Sequence, residues 1–142
     1  MSLEEYKPMM ERCSNCLGCK WSPFDKVKSL RFGENCPSIS YNNFNTYAAR
    51  GRFQLALGLI NKEYPMTDTI VDVIHSCTSC GSCDITCKVT RYNLEPLDHN
   101  IALKAEAVRQ GKTVPAQRQM MRENRAKMLR LFCRPQDCAV FY

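Results

Sequence analysis

Cys77-Thr78-Ser79-Cys80-Gly81-Ser82-Cys83-Asp84-Ile85-Thr86-Cys87 is the stretch whose reading decides the fold. Its spacing, C-x2-C-x2-C-x3-C, is one that holds iron–sulfur clusters. Three thiolates with two residues between each pair can wrap one Fe4S4 cube, each sulfur binding a different iron, while the fourth iron takes its thiolate from elsewhere. Upstream stands a second triplet, Cys13-Ser14-Asn15-Cys16-Leu17-Gly18-Cys19. Its fourth member, Cys36, arrives after sixteen intervening residues and is followed by Pro37. Eight of the ten cysteines therefore fall into two sets, which implies two [4Fe–4S] clusters and a part in moving electrons.

Two other uses of cysteine fit the spacing less well. Zinc takes four tetrahedral thiolates and usually shows paired C-x2-C knuckles, so a third cysteine at the same step, twice over, is superfluous for it. A disulfide scaffold belongs to secreted chains, whereas Met1-Ser-Leu-Glu-Glu-Tyr-Lys7 has no apolar signal region. No stretch approaches the length of a membrane span. A reducing, cytoplasmic setting with metal-bound thiolates is expected.

The chain has 142 residues, of which 44% are hydrophobic and 9% aromatic. That bounds it to one domain, or one small domain with an appendage, and two clusters would supply the buried bulk and cross-links that a modest core lacks. Charge is uneven. Residues 1–103 hold eleven Lys/Arg against eleven Asp/Glu, and residues 104–134 hold nine against two. The division expected is residues 1–111 as a two-cluster domain and residues 112–142 as a basic helical extension that docks a partner.

Periodicity predicts helices throughout and no strand, hence an all-α class. Phe44, Tyr47, Ala48, Phe53, Leu55, Ala56, Leu59 and Ile60 recur at spacings of three and four, with Asn43 or Asn45 as cap. Gly51 and Gly58 inside that helix point to a close approach by another backbone or a cluster. A second helix is capped by Thr67 or Asp68, and a third runs over 96–110, from Pro96 to Gly111. A last one is expected from Pro115 or Ala116 to Phe132. Residues 1–12 read as a short leader and 20–35 as an insertion.

The second run is similar to that of two-cluster bacterial ferredoxins, in which the fourth cysteine ligates the other cluster. Carried over, one cluster takes Cys13, Cys16, Cys19 and Cys87, and the other takes Cys77, Cys80, Cys83 and Cys36. Ser14, Gly18, Ser79, Gly81 and Ser82 are small enough to let backbone N–H groups face the sulfurs. Cys87 is followed by Lys88, whose charge would raise the first cluster's potential if it lay close and poorly solvated. Arg12 and Lys20 also flank ligands. Cys133 and Cys138 are too few for a third cluster and read as packing residues, a redox pair or ligands shared with a partner. His75, His99, Trp21, Tyr41 and Tyr47 are read as packing or shielding. No residue set for bond-making chemistry is visible, so the chain reads as a subunit without catalytic residues of its own.

The order of parts resembles a larger family. It is a cysteine triplet, a Cys36-Pro37, a helix opening on Ala49-Arg50-Gly51-Arg52, a second cysteine run and a further helix. This is similar to the α-helical ferredoxin module of heterodisulfide reductase C- and D-type subunits, also found in glycolate oxidase and succinate dehydrogenase iron–sulfur subunits. The resemblance covers roughly residues 10–111. It implies helices around two [4Fe–4S] clusters and an electron conduit between a flavin- or ferredoxin-type donor and a catalytic partner, in anaerobic metabolism. Two rival expectations follow: an N-terminal electron-input module of a larger catalytic iron–sulfur oxidoreductase, or a zinc-stabilised nucleic-acid-binding protein using the basic helix. The leading reading expects other oxidoreductase subunits as partners, no nucleic acid and no membrane span.

Overall fold

Helices account for most of the regular structure. The computed structural model describes residues 2–22, 27–29, 33–89, 93–116, 119–120 and 122–124. Among these, six α-helices carry the architecture: α1 (Lys7–Glu11), α2 (Pro37–Asn42), α3 (Ala49–Ile60), α4 (Asp68–His75), α5 (Ser82–Val89) and α6 (Pro96–Arg109). Short 3-10 turns span Leu3–Tyr6, Gly18–Lys20 and Asn45–Tyr47. No strand is present among the described residues; the one β-bridge there pairs Trp21 with Glu34. The fold is all-α. No helix among the described residues is long and apolar enough to cross a membrane. The chain divides into two units, Met1–Lys112 and Thr113–Tyr142. The described residues of the second are helical at 115–116, 119–120 and 122–124.

The expected leader is part of the core. Ser2 Oγ accepts the Glu4 N–H (3.2 Å) and Glu5 Oε1 accepts the Ser2 N–H (2.8 Å), which starts the first turn as a cap does. Leu3 and Met10 are buried, and this segment packs on α3 and α6. Helix α3 is the pillar of the first unit. It touches α1, α4, α6 and the turns at 18–20 and 45–47, and it buries Ala49, Arg52, Phe53 and Ala56. Burying a side chain the size of Phe53 contributes about 1.5–3 kcal/mol.

Helix α3 begins later than its apolar pattern predicts. Residues Asn45–Tyr47 form a separate 3-10 turn, and Ala48, extended at φ −80° and ψ 166°, precedes the helix without a side-chain cap. Asn43 instead ends α2, in the left-handed conformation (φ 52°). Phe44 is consequently exposed rather than core. The glycine expectation holds in part: a Cβ on Gly51 would collide with the backbone of Thr46, whereas at Gly58 the neighbour is the Tyr64 side chain. Thr67 Oγ1 accepts the Ile70 N–H (3.3 Å) as the cap of α4. Gly111, at φ 70°, follows α6.

The insertion after Cys19 is pinched at its base. Ser22 N–H donates to Gly33 O (2.6 Å) and Asn35 N–H to Lys20 O (2.9 Å). Residue 35 is thus brought beside residue 20, so Cys36 returns close to Cys19 despite the sixteen residues between them.

Candidate metal centres

The two cysteine triplets fold alike. In the first, Asn15 (φ 60°) and Leu17 (φ 59°) flank Cys16; in the second, Ser79 (φ 57°) and Gly81 (φ 77°) flank Cys80. Left-handed residues on both sides of the middle cysteine curl each loop around a point. Only glycine takes this conformation freely, and an ordinary residue there costs roughly 1–2 kcal/mol. Each loop also aims an amide at a sulfur: Gly18 N–H at Cys16 Sγ and Ser79 N–H at Cys77 Sγ, both 3.4 Å.

The thiols line two cavities. Cys13, Cys16, Cys19 and Cys87 share one, walled by Leu17, Phe53, Leu94 and Pro96. Cys36, Cys77, Cys80 and Cys83 share another, with Arg52, Ser79 and Asn100 in its wall. Cys19 and Ala49 line both, so the cavities are neighbours. Cys87 reaches the first triplet because α5 packs against the turn at 18–20, and Asn35 Nδ2 donates to Thr86 Oγ1 (2.8 Å) across the same seam. Among the described residues no group of three or more His, Cys, Asp or Glu is placed to hold a single metal ion. Zinc would require its thiolates to converge to about 2.3 Å from one point. Thiols spread over a cavity wall suit a polynuclear cluster, in which each iron takes one.

Electrostatics call for positive charge beside the thiols. Burial pushes the Cys19, Cys83 and Cys87 thiols above their ordinary range, so bare thiolates there need positive partners. For Cys80 burial also acts upward, but hydrogen bonds involving Ser82 and Thr78 outweigh it and hold the thiol below its usual value. The uncapped start of α3 supplies such a partner. The Arg50 backbone N–H faces the Cys19 sulfur, at the end of a helix where the dipole favours negative charge. Buried Arg52 supplies another, with Nε donating to Val73 O (3.0 Å), Nη1 to Tyr47 O (2.6 Å) and Nη2 to Ser38 Oγ and Ser76 Oγ (2.9 Å each).

A family described as the 4Fe-4S dicluster domain matches residues 7–90. This chain belongs to that family. No curated protein and no solved structure matches it. The dicluster match takes in all eight cysteines of the two sets, both curled loops and Arg52, and it supports an iron–sulfur, electron-transfer role. The donor set fits the dicluster family: two cavities lined by eight thiols, with Cys19 in the wall of both, sulfur-facing amides and a buried cation.

The structure tests the expectations about single residues one by one. Lys88 is exposed and paired with Glu95 (3.2 Å; side chains 49% and 55% exposed), so it is neither isolated nor poorly solvated. Tyr41 is 90% exposed and shields nothing. His75 lines neither cavity; burial, then the charge of Lys104, holds its pKa below the usual imidazole range. His99 is core, edge-on to Phe53 (centroids 4.6 Å apart, 89°), with its pKa lowered by burial to about 4. Cys133 and Cys138 lie outside the described residues.

Two residues that the structure places at the cysteine loops escaped the sequence reading. One is Arg52, whose signal was a charged residue in register with Ala49, Phe53 and Ala56 on the buried face of α3. The other is Lys104, whose Nζ donates to Cys77 O (2.6 Å) and Ser79 Oγ (2.9 Å). Its sequence neighbourhood, the basic end of α6, gave no hint that it reaches back to a cysteine loop.

Proposed function

We propose that this chain is the electron-relay subunit of a multi-subunit oxidoreductase complex of the heterodisulfide reductase type. Cys13, Cys16, Cys19 and Cys87 would hold one [4Fe–4S] cluster, and Cys36, Cys77, Cys80 and Cys83 the other. The observation that carries this reading is the crossed grouping of thiols: each cavity combines a triplet with the distant fourth cysteine of the other set. Such clusters exchange single electrons, at potentials set by hydrogen bonds to sulfur, local charge and solvent exposure.

The residues of this chain do the rest. The two loops present thiolates and amide N–H groups, and Phe53, Leu94 and Pro96 screen the first cavity from water. The shared Cys19 wall keeps the two centres adjacent, as a relay requires. Exposed Ile85 and Val89 flank Cys87 on α5, at the edge where another subunit would approach. The partners proposed are flavin-, ferredoxin- or metal-containing subunits, which would own the substrate.

The test is anaerobic iron and acid-labile sulfide analysis with low-temperature EPR of the reduced chain. About eight of each per chain and two interacting S = 1/2 centres are expected for two such clusters. Zinc without sulfide would end the reading.

A further inference from the structure

Arg52 is a buried charge whose neighbours are unequal on the two sides of the molecule. Its side chain is 1% exposed, and it lines the second cavity with Cys36, Cys77, Cys80 and Cys83. All of its acceptors are neutral: two carbonyls and two hydroxyls. Ser76 donates onward to Val73 O (2.8 Å), which leaves the Ser38 hydroxyl to donate to Ser76 (2.9 Å). The guanidinium is thus fixed in place by a directional network. Among the described residues no carboxylate pairs with it. An ion taken out of water costs more than neutral hydrogen bonds return, unless an opposite charge stands near. The anions within its reach are the thiolates that line this cavity with it: Cys77, Cys36 and Cys83 of the second site and, as the weakest of the four, Cys19 of the first.

The first cavity has a different cation. Arg50 lines it, but the side chain is only half-buried and its Nε is held by Asn15 Oδ1 (2.8 Å) at the surface. Water screens such a charge, whereas a buried one is screened far less. Behind the second cavity's wall, half-buried Lys104 is hydrogen-bonded to the loop of Cys77 and Ser79. Asp84 acts the other way, with Oδ1 3.8 Å from Cys83 Sγ; that oxygen already accepts the Leu97 N–H (2.7 Å). Two cations, one wholly buried, stand against this one carboxylate.

From this asymmetry we infer that Arg52 holds the centre at Cys36, Cys77, Cys80 and Cys83 at a higher reduction potential than the centre at Cys13, Cys16, Cys19 and Cys87. Reduction adds one negative charge, and a poorly screened cation beside it favours the reduced form. An electron shared by the two sites therefore rests at the second. The exchange oxidises the first centre by one electron and reduces the second by one, with no bond made or broken. The inference rests on the reading that the eight thiols hold two [4Fe–4S] clusters.

The experiment is an anaerobic, EPR-monitored redox titration of the full chain, wild type beside Arg52→Gln and Arg52→Lys. Cys87→Ser marks the signal of the first site and Cys36→Ser that of the second. In wild type the higher midpoint is expected at the second site. Arg52→Gln should lower that midpoint alone, by at least tenfold in the one-electron equilibrium constant, about 59 mV. Arg52→Lys, which keeps the charge, should fall between. A higher midpoint at the first site, or equal shifts or none in both centres of Arg52→Gln, overturns the inference. If Arg52→Gln does not fold, Arg52→Lys beside wild type decides it: a second-site midpoint that does not move, or that moves equally with the first, overturns the inference. Iron and sulfide are counted on the same samples. A chain without them sinks the electron-relay reading itself, whereas a full count with the reverse order sinks only the role of Arg52.

Discussion

The two cysteine loops share a backbone and differ in their surroundings. Both curl through left-handed residues on either side of the middle cysteine. Around the first stand Leu17, Phe53, Leu94 and Pro96; around the second stand Arg52, Ser79 and Asn100. Loop geometry decides what is held, and the wall decides how easily it accepts charge. Magnitudes show why position outweighs number of charges. Two unit charges 4 Å apart interact by about 1 kcal/mol in bulk water and about 4 kcal/mol at an effective dielectric constant of 20. Buried Arg52 therefore weighs more than exposed Lys88, although Lys88 adjoins a cysteine in sequence and Arg52 does not.

The comparison can be broken most severely at the crossed cysteines. Cys87→Ser should disturb the centre of Cys13, Cys16 and Cys19, and Cys36→Ser that of Cys77, Cys80 and Cys83. Loss of the affected centre would remove roughly half of the iron. Should EPR find the centre of each cysteine's own run altered instead, the crossed assignment is wrong.

Next in size is Arg52→Met. It removes the buried cation and leaves Val73 O, Tyr47 O and two serine hydroxyls to find new partners. A loss of about 3–5 kcal/mol is expected, as for breaking a buried charged network, read from chemical unfolding of the cluster-loaded chain. Arg50→Met, at the half-exposed counterpart, should cost under about 1 kcal/mol. Equal losses would erase the distinction between the two walls.

His99 sharpens the comparison through pH. Its folded pKa is depressed to about 4, against about 6.5 for the unfolded chain. The unfolded state then takes up a proton that the folded state refuses, so stability is full above the unfolded value and falls with pH down to the folded one. The contribution lost is about 3 kcal/mol. Acid-induced release of the clusters, followed by visible absorbance, should therefore be milder between those pH values in His99→Phe than in wild type. Identical profiles would mean that His99 is not the group that titrates.

The smallest effect is assigned to Lys88→Ala. Its exposed pair with Glu95 contributes about 0–1 kcal/mol, and neither midpoint potential should move. A clear drop in the first centre's potential would restore the sequence-based expectation for this lysine.

Much of the site was legible because thiol spacing is local. A two-residue step between cysteines is meaningful whatever surrounds it, and Thr67 and Pro96 announced α4 and α6 by the chemistry of helix starts. The failures were of another kind. Residues 44–47 share the apolar spacing of α3 but form a 3-10 turn, because Gly51 lets the Thr46 backbone approach where a side chain would collide. Tyr41 is aromatic and one helical turn beyond Pro37, yet the short α2 turns it to solvent.

By itself, then, the sequence determined an all-α chain with eight thiols in two local sets, because ligand spacing and helix signals act within a few residues. Tertiary structure decided what required distant segments to meet. The pinch at Lys20 and Asn35 returned Cys36 to Cys19, and the packing of α5 on the turn at 18–20 carried Cys87 to the first triplet. Burial left Arg52 facing the second cavity while Lys88 stayed in water. The strength of a charge depends on the dielectric around it, and that is a property of the folded neighbourhood.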